Sequence, residues 1–411
     1  MIDNRHNSKS PIDSRLAGLR NEIMVLKMLR ENTRISQSQL CALAGIGSST
    51  ASTIVARLRD KGFVSESPGT STNRGPKPII LELNPKCRYI FAAEINPSYI
   101  FLGLFDFVGS IVDKIRISIG HDRSVEHVID LLSINIPGLL TRNAIATDKV
   151  LGLGVTLSGS VLPEGIISLS SPMGWKNVHL KEKLQPYFKF PVFIYNNRVR
   201  VLAEIANNPE LDSKNILYLN VADGVGSTIF MDGKLIIGST GRYGEIGHIV
   251  IDPNGPVCGC GNTGCLEAFI SGPALIEKIR KELPSTSDQC FSEALTAADD
   301  TLNPEDILSS WQRHIDNDIK YAILLREYVS HYFCDIAATL INCYDPNIVM
   351  LAGYVCDQIN DYLAENIHKR IETAVYESSL RKIEIIPAST GKDALIKGVA
   401  SAVLQQTEIF S

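Results

Sequence analysis

The apolar positions of the first sixty residues recur at helical spacing. Leu19, Ile23 and Leu26 form a stripe continued by Arg30, which predicts a helix ending near Asn32. Ser36-Gln-Ser-Gln39 matches a capping box, in which a hydroxyl and an amide satisfy each other's backbone N–H groups. It opens a second, shorter helix with Leu40, Leu43 and Ala44 facing inward. Gly45 suits the left-handed position at its end. A tight Gly45-Ile46-Gly47 connection leads to Ser48 or Ser49 as N-cap of a third helix, whose Ala51, Ile54, Val55 and Leu58 share one face and which Gly62 closes. Two helices joined so tightly have the layout of a helix-turn-helix. Phe63-Val64 and Ile79–Leu83 read as strands flanking Ser65 to Pro78, a loop rich in Gly, Ser, Thr and Pro that carries Arg74 and Lys77. Residues 1–84 are therefore expected to form a winged helix-turn-helix with a basic wing. A small helical packing or dimerisation module is the alternative.

From Tyr89 the pattern changes. Short apolar runs at Ile90 to Phe105, Val150 to Leu157, Val192 to Tyr195, Ile216 to Val221 and Ile348 to Leu351 alternate with helical stretches, which argues an α/β architecture. A chain of 411 residues exceeds what one compact core accommodates, so two or three domains are expected. Gly224-Val-Gly226 and Gly353 fall at strand ends, where a ligand can come close to the backbone.

The formal net charge of −5 conceals an asymmetry. The first 84 residues carry 12 Lys+Arg against 7 Asp+Glu, leaving 28 against 38 in the remainder. Affinity for polyanions is therefore expected at the N-terminus. The third helix agrees. Its outward face carries Ser48, Ser49, Thr50, Ser52 and Thr53, small hydroxyls able to approach base edges, with Arg57 and Arg59 nearer the phosphates. With Arg74 and Lys77 on the wing, these residues predict an interface for double-stranded DNA. No apolar run approaches the roughly 18 residues of a membrane span. The polar start Met1-Ile-Asp-Asn-Arg5 lacks signal-peptide layout, so a cytoplasmic protein with no membrane partner is expected.

The most specific chemistry lies at Cys258-Gly-Cys260-Gly-Asn-Thr-Gly-Cys265, ten residues after His248. Thiolates and imidazole are the ligands zinc prefers, and His248, Cys258, Cys260 and Cys265 would fill all four tetrahedral positions. A filled set implies a structural Zn2+, because catalytic zinc keeps one position open for water. The alternative is three buried thiols beside an ordinary histidine. Nine cysteines, odd in number and mostly scattered, fit a reducing compartment.

These segments carry a resemblance. Gly244-Glu-Ile-Gly-His248, the cysteine cluster and Cys265-Leu-Glu267, together with Gly152-Leu-Gly154, Gly174-Trp175, Asp232-Gly233 and Asp345-Pro346, resemble the ROK family of repressors and sugar kinases. The N-terminal segment, including Arg74-Gly-Pro-Lys-Pro78, is similar to the winged domain of its repressor branch. The resemblance implies a two-lobed actin-like, sugar-kinase-like (ribonuclease H-like) fold with a sugar cleft braced by zinc. The expected boundaries are 85–205 for the first lobe, completed by about 380–411, and 206–380 for the second.

It also implies sugar contacts at Asn196, Glu245, His248 and Glu267. Three departures from the kinase pattern bear on catalysis. Asn196 stands eight residues before Glu204, where the kinases place an aspartate base. Glu94-Ile-Asn-Pro97-Ser98 replaces their phosphate-binding glycine turn, and Pro97 has no N–H to offer. Ala352 and Tyr354 narrow the adenine side. The expectation is a catalytically inactive transcriptional regulator, a repressor of carbohydrate genes controlled by a sugar or sugar phosphate. It is expected to act as a homodimer, with a tetramer left open. A sugar kinase fused to a DNA-binding domain and a zinc sensor are the rivals.

Overall fold

The computed structural model describes residues 11–69, 78–162, 164–170, 172–283, 291, 304–389 and 391–407. The N-terminal segment folds as α1 (Pro11–Asn32), β1 (Ile35–Ser36), α2 (Gln37–Ala44), α3 (Ser48–Asp60), β2 (Val64–Pro68) and β3 (Ile79–Leu83). The capping box forms in both directions. Gln39 N–H donates to Ser36 Oγ at 3.3 Å, and Ser36 N–H donates to Gln39 Oε1 at 2.8 Å. Gly45 takes the left-handed conformation at φ 62°, and the chain turns through 112° between α2 and α3. Val25, Leu26, Leu29, Leu40, Ile54, Val55, Leu58 and Leu81 close the core.

Three details depart from expectation. The residue capping α3 is Gly47, in extended conformation, so Ser48 is already helical and no side chain caps the helix. Leu43 is 54% exposed, because the two-turn α2 buries only Leu40. β2 runs on to Pro68, its polar Ser65-Glu-Ser-Pro stretch held in register by antiparallel pairing with β3. The wing residues Arg74 and Lys77 lie outside the described residues.

The chain divides into two compact units, 1–209 with 393–411, and 210–392. The winged domain belongs to the first. Asn84 fastens it to the body, its N–H donating to Phe63 O at 2.8 Å and its Nδ2 to Gly62 O at 2.9 Å. Phe63 packs against Phe107 in a tilted pair with centroids 5.4 Å apart, and Arg88 lies over Phe63 at 5.2 Å. Arg30, the charged member of the α1 stripe, reaches Ser401 Oγ at 3.4 Å.

In the first unit β4 (Tyr89–Ile95), β5 (Tyr99–Asp106) and β6 (Ile111–Ser118) form an antiparallel meander. Helix α4 (Val125–Arg142) then carries the chain to β7 (Val150–Leu157), parallel to β4. A small antiparallel sheet follows, of β8 (Ser160–Val161), β9 (Ile167–Ser170) and β10 (Trp175–Val178). After the short α5 (Leu180–Leu184), β11 (Val192–Asn196) completes the order β11-β7-β4-β5-β6. Helix α6 (Arg200–Asn207) packs on the C-terminal helix Ala394–Gln406, which lies against this sheet. Gly154 permits the approach, since a Cβ there would run into Val399 and Val403 of the C-terminal helix.

The second unit is a five-stranded sheet of order β14-β13-β12-β15-β16, comprising β12 (Ile216–Val221), β13 (Val225–Met231), β14 (Lys234–Leu235), β15 (Ile348–Ala352) and β16 (Glu384–Pro387). Parallel pairing of β16 with β15 keeps the chain in this unit until 392, so its return falls later than about 380. The 25-residue helix Lys320–Tyr344 covers the sheet, and the fully buried Trp311 donates from Nε1 to Ala322 O at 2.9 Å. Among the described residues no single helix is long and apolar enough to cross a membrane.

Candidate functional site

At the N-terminal end, Ser48, Ser49, Thr50, Ser52, Thr53 and Arg57 are all exposed on α3, as expected. The structure separates them. Ser52 and Thr53 turn their hydroxyls back onto the helix, to Ser48 O at 2.9 Å and Ser49 O at 3.0 Å, and Gln37 Nε2 donates to Ser52 at 2.6 Å. The hydroxyls of Ser48, Ser49 and Thr50 make no hydrogen bond among the described residues, and they occupy the first turn of α3. Arg57 pairs with Glu22 at 3.8 Å, and the same buried carboxylate holds Lys61 at 2.6 Å. Glu22 and Gln37 carry no signal in one sequence, because both act across helices rather than along one.

The four candidate metal ligands come together within the second unit. One donor atom from each of His248, Cys258, Cys260 and Cys265 lies within 4.8 Å of the others. Cys260 Sγ is 3.7 Å from Cys265 Sγ, and Cys258 Sγ is 3.8 Å from His248 Nδ1. A tetrahedron with Zn–S bonds of about 2.3 Å has edges of about 3.8 Å, so the donor set fits zinc. The loop shapes the cluster through its own backbone. Cys258 N–H donates to Asn262 O at 2.8 Å, and isolated bridges join Val250 to Cys265 and Val257 to Thr263. Burial pushes the Cys265 thiol up, and the neighbouring Cys260 and Cys258 push it the same way. Gly264 sits at φ 76°, and a Cβ there would meet the Asp252 carbonyl oxygen. We expect Gly264→Ala to cost about 1–3 kcal/mol through backbone strain alone. A lowered melting temperature and faster zinc loss to a chelator would register it.

The candidate sugar residues fall in both units. Asn196 ends β11, and its Oδ1 accepts from Arg198 N–H at 3.1 Å, capping the turn Asn197–Val199. Glu245 is exposed just before His248. Glu267 begins helix α7 (Glu267–Ile270), with Oε2 accepting from Val225 N–H at 3.0 Å and Oε1 4.0 Å from Cys258 Sγ. Its carboxylate thus ties the cysteine loop to the glycine turn after β12.

Other polar groups share these strand ends. Glu94 accepts from Asn96 Nδ2 at 2.9 Å; burial pushes its carboxyl up, while Asn96 and Arg200 hold it down. Tyr354 OH donates to Asp223 Oδ1 at 2.8 Å, and burial together with that carboxylate drives the phenol far above its ordinary range. A Cβ on Gly272 would strike the Tyr354 ring, so this side chain fills the space beside β15. A groove of about 550 Å³ between the end of α4 and residues 185–190 is mostly apolar and takes in none of the candidate residues.

The family model of the ROK family matches residues 92–406. The chain belongs to the ROK family. A model of the MarR family matches residues 19–71, the winged segment. The xylose repressor of Bacillus spizizenii is 26% identical over 387 residues, covering 94% of this chain and 95% of that protein. A glucokinase of Halalkalibacterium halodurans is also 26% identical, over 324 residues, covering 78% of this chain and 96% of the enzyme. A crystal structure described as a ROK family transcriptional regulator, homologue of the E. coli MLC protein, aligns with TM-score 0.78 at 22% identity, covering 96% and 97% of the two chains. That likeness is one of fold, and it extends across the winged domain as well as the body.

Proposed function

We propose that this ROK protein is a sugar-responsive transcriptional repressor. Its winged domain grips double-stranded operator DNA, with Ser48, Ser49 and Thr50 at base edges and Arg57, Arg74 and Lys77 at phosphates. Its body binds a sugar through Asn196, Glu245, His248 and Glu267. His248, Cys258, Cys260 and Cys265 hold a structural zinc that keeps the Glu267 wall in place. The observation that carries the reading is an intact helix-turn-helix, its first-turn hydroxyls unengaged, joined to a kinase-like body whose base position is an amide.

An amide cannot take the proton of an attacking hydroxyl, and losing a positioned base costs about 10²–10⁴ in rate. Phosphoryl transfer is therefore absent from the proposed function, and a coupled ADP-release assay is expected to stay below ~1 s⁻¹ with any hexose or pentose. The protein acts as a cytoplasmic homodimer on a palindromic site. Sugar binding shifts the population toward a dimer geometry whose recognition helices no longer match half-sites about 34–36 Å apart.

The test uses fluorescence anisotropy on the DNA upstream of the gene, with sugars titrated in. Xylose, named in the relatives, is the first to try. One sugar should release the operator and raise the melting temperature of the protein, as any ligand of the native state does. Operator binding that is indifferent to every sugar would remove the sensing half of the proposal.

A further inference from the structure

The end of α3 takes its charge geometry from α1. Among the described residues of the winged domain Glu22 is the one buried carboxylate, 7% exposed. Its Oε2 accepts from Lys61 Nζ at 2.6 Å, and its Oε1 lies 3.8 Å from Arg57 Nη1. The two cations stay open to solvent, with side chains 52% and 59% exposed. Arg59, between them in sequence, is held differently: its partners Glu66 at 3.4 Å and Asp60 at 3.8 Å have side chains 30% and 75% exposed. Water and salt screen such pairs, and screen those of a buried carboxylate much less.

These positions match the dimensions of a DNA groove. Thr50 and Arg57 stand seven residues apart, so they share a face of α3 and lie about 10 Å apart along its axis. Lys61 follows one turn further on, at the cap of the helix, its N–H donating to Arg57 O at 3.0 Å. The major groove is about 12 Å wide. With the first turn of α3 at base edges, Arg57 and Lys61 reach the phosphates along the groove wall.

We propose that Glu22 is a positioning residue for operator recognition, holding Arg57 and Lys61 as a pair against the phosphates, and that Lys61 is itself a phosphate contact. The inference rests on the reading of α3 as the helix that enters the groove. Phosphate contacts carry no base sequence, but they fix the register in which base contacts are made. Two long side chains held in advance also lose less freedom on binding. The carboxylate cancels one of the two positive charges it holds, which limits attraction to DNA of any sequence. Both effects favour operator over random duplex.

Anisotropy titrations of the full chain on operator and on scrambled duplex, over a range of salt, decide the point. Glu22→Gln keeps the shape and removes the charge, so the ratio of operator to scrambled affinity should fall by about fivefold, with scrambled DNA bound more tightly than by the unmodified protein. Glu22→Asp keeps the charge and shortens the reach. It isolates positioning, and should weaken operator binding while leaving scrambled DNA unchanged. Lys61→Ala, at an exposed side chain, should weaken both duplexes and flatten the salt dependence by about one unit of slope. A merely structural role for Glu22 would lower both affinities by one factor. Both Glu22 variants keeping the ratio of the unmodified protein overturn the positioning role and leave the repressor reading intact, and Lys61→Ala with an unchanged salt slope overturns the phosphate contact. An unmodified protein that binds the two duplexes equally removes the repressor reading, and the inference with it.

Discussion

Replacing Cys265 by Ser should release the zinc and lower the melting temperature by roughly 8–16 °C. Cys265 is fully buried, bridges to Val250 and lies two residues before Glu267. Removing one ligand leaves an imidazole and two thiols around an ion they can no longer enclose, and loss of a structural metal is among the few mechanisms that cost about 4 kcal/mol. At about 2–4 °C per kcal/mol for a unit of this size, that gives the stated range. Metal content by mass spectrometry should fall from about one zinc per chain to near zero. Cys343→Ser, at an exposed and isolated thiol, serves as the control and should change neither quantity. Sugar response should weaken together with zinc, because Glu267 connects the loop to Val225. A Cys265→Ser protein with full zinc and unaltered melting would refute the assignment.

The convergence of His248, Cys258, Cys260 and Cys265 was legible because the four span only 18 residues and local glycine turns bring them together. The helix-turn-helix was legible for a similar reason. Capping box, left-handed Gly45 and one-faced apolar spacing are all properties of consecutive residues. What escaped was non-local. β1 has two residues and exists because Ile35 pairs with Leu81. β2 continues through polar residues because β3 lies beside it. The return to the first unit falls at 393 because Glu384–Pro387, four residues with no alternation to mark them, add a parallel strand to β15.

The same contrast runs through the candidate sugar residues. Asn196, Glu245 and Glu267 came from resemblance to a family, whereas Asp223 and Tyr354 meet across 131 residues and Glu22 and Lys61 across 39. No periodicity records such pairs. Tyr354 was expected to narrow its pocket; its hydroxyl on Asp223 gives that side chain a fixed position as well.

Thr50→Val is expected to weaken operator binding by about 1–2 kcal/mol, roughly 5- to 30-fold, while leaving non-specific DNA affinity unchanged. Valine keeps the branched shape and replaces only the hydroxyl by a methyl, so the shape of α3 and the core beneath it are preserved. Thr50 lies in the first turn with its hydroxyl unengaged, the part of a recognition helix that meets base edges. Thr53→Val provides the internal contrast. Its hydroxyl already donates to Ser49 O, so its removal should cost less than the Thr50 change. Arg57→Ala should behave in a third way, weakening operator and random DNA alike and flattening the salt dependence by about one unit of slope, the mark of a phosphate contact. Anisotropy titrations of operator and scrambled duplex over a range of salt separate the three. Equal losses for Thr50→Val and Thr53→Val on the operator would show that α3 is not read from its first turn.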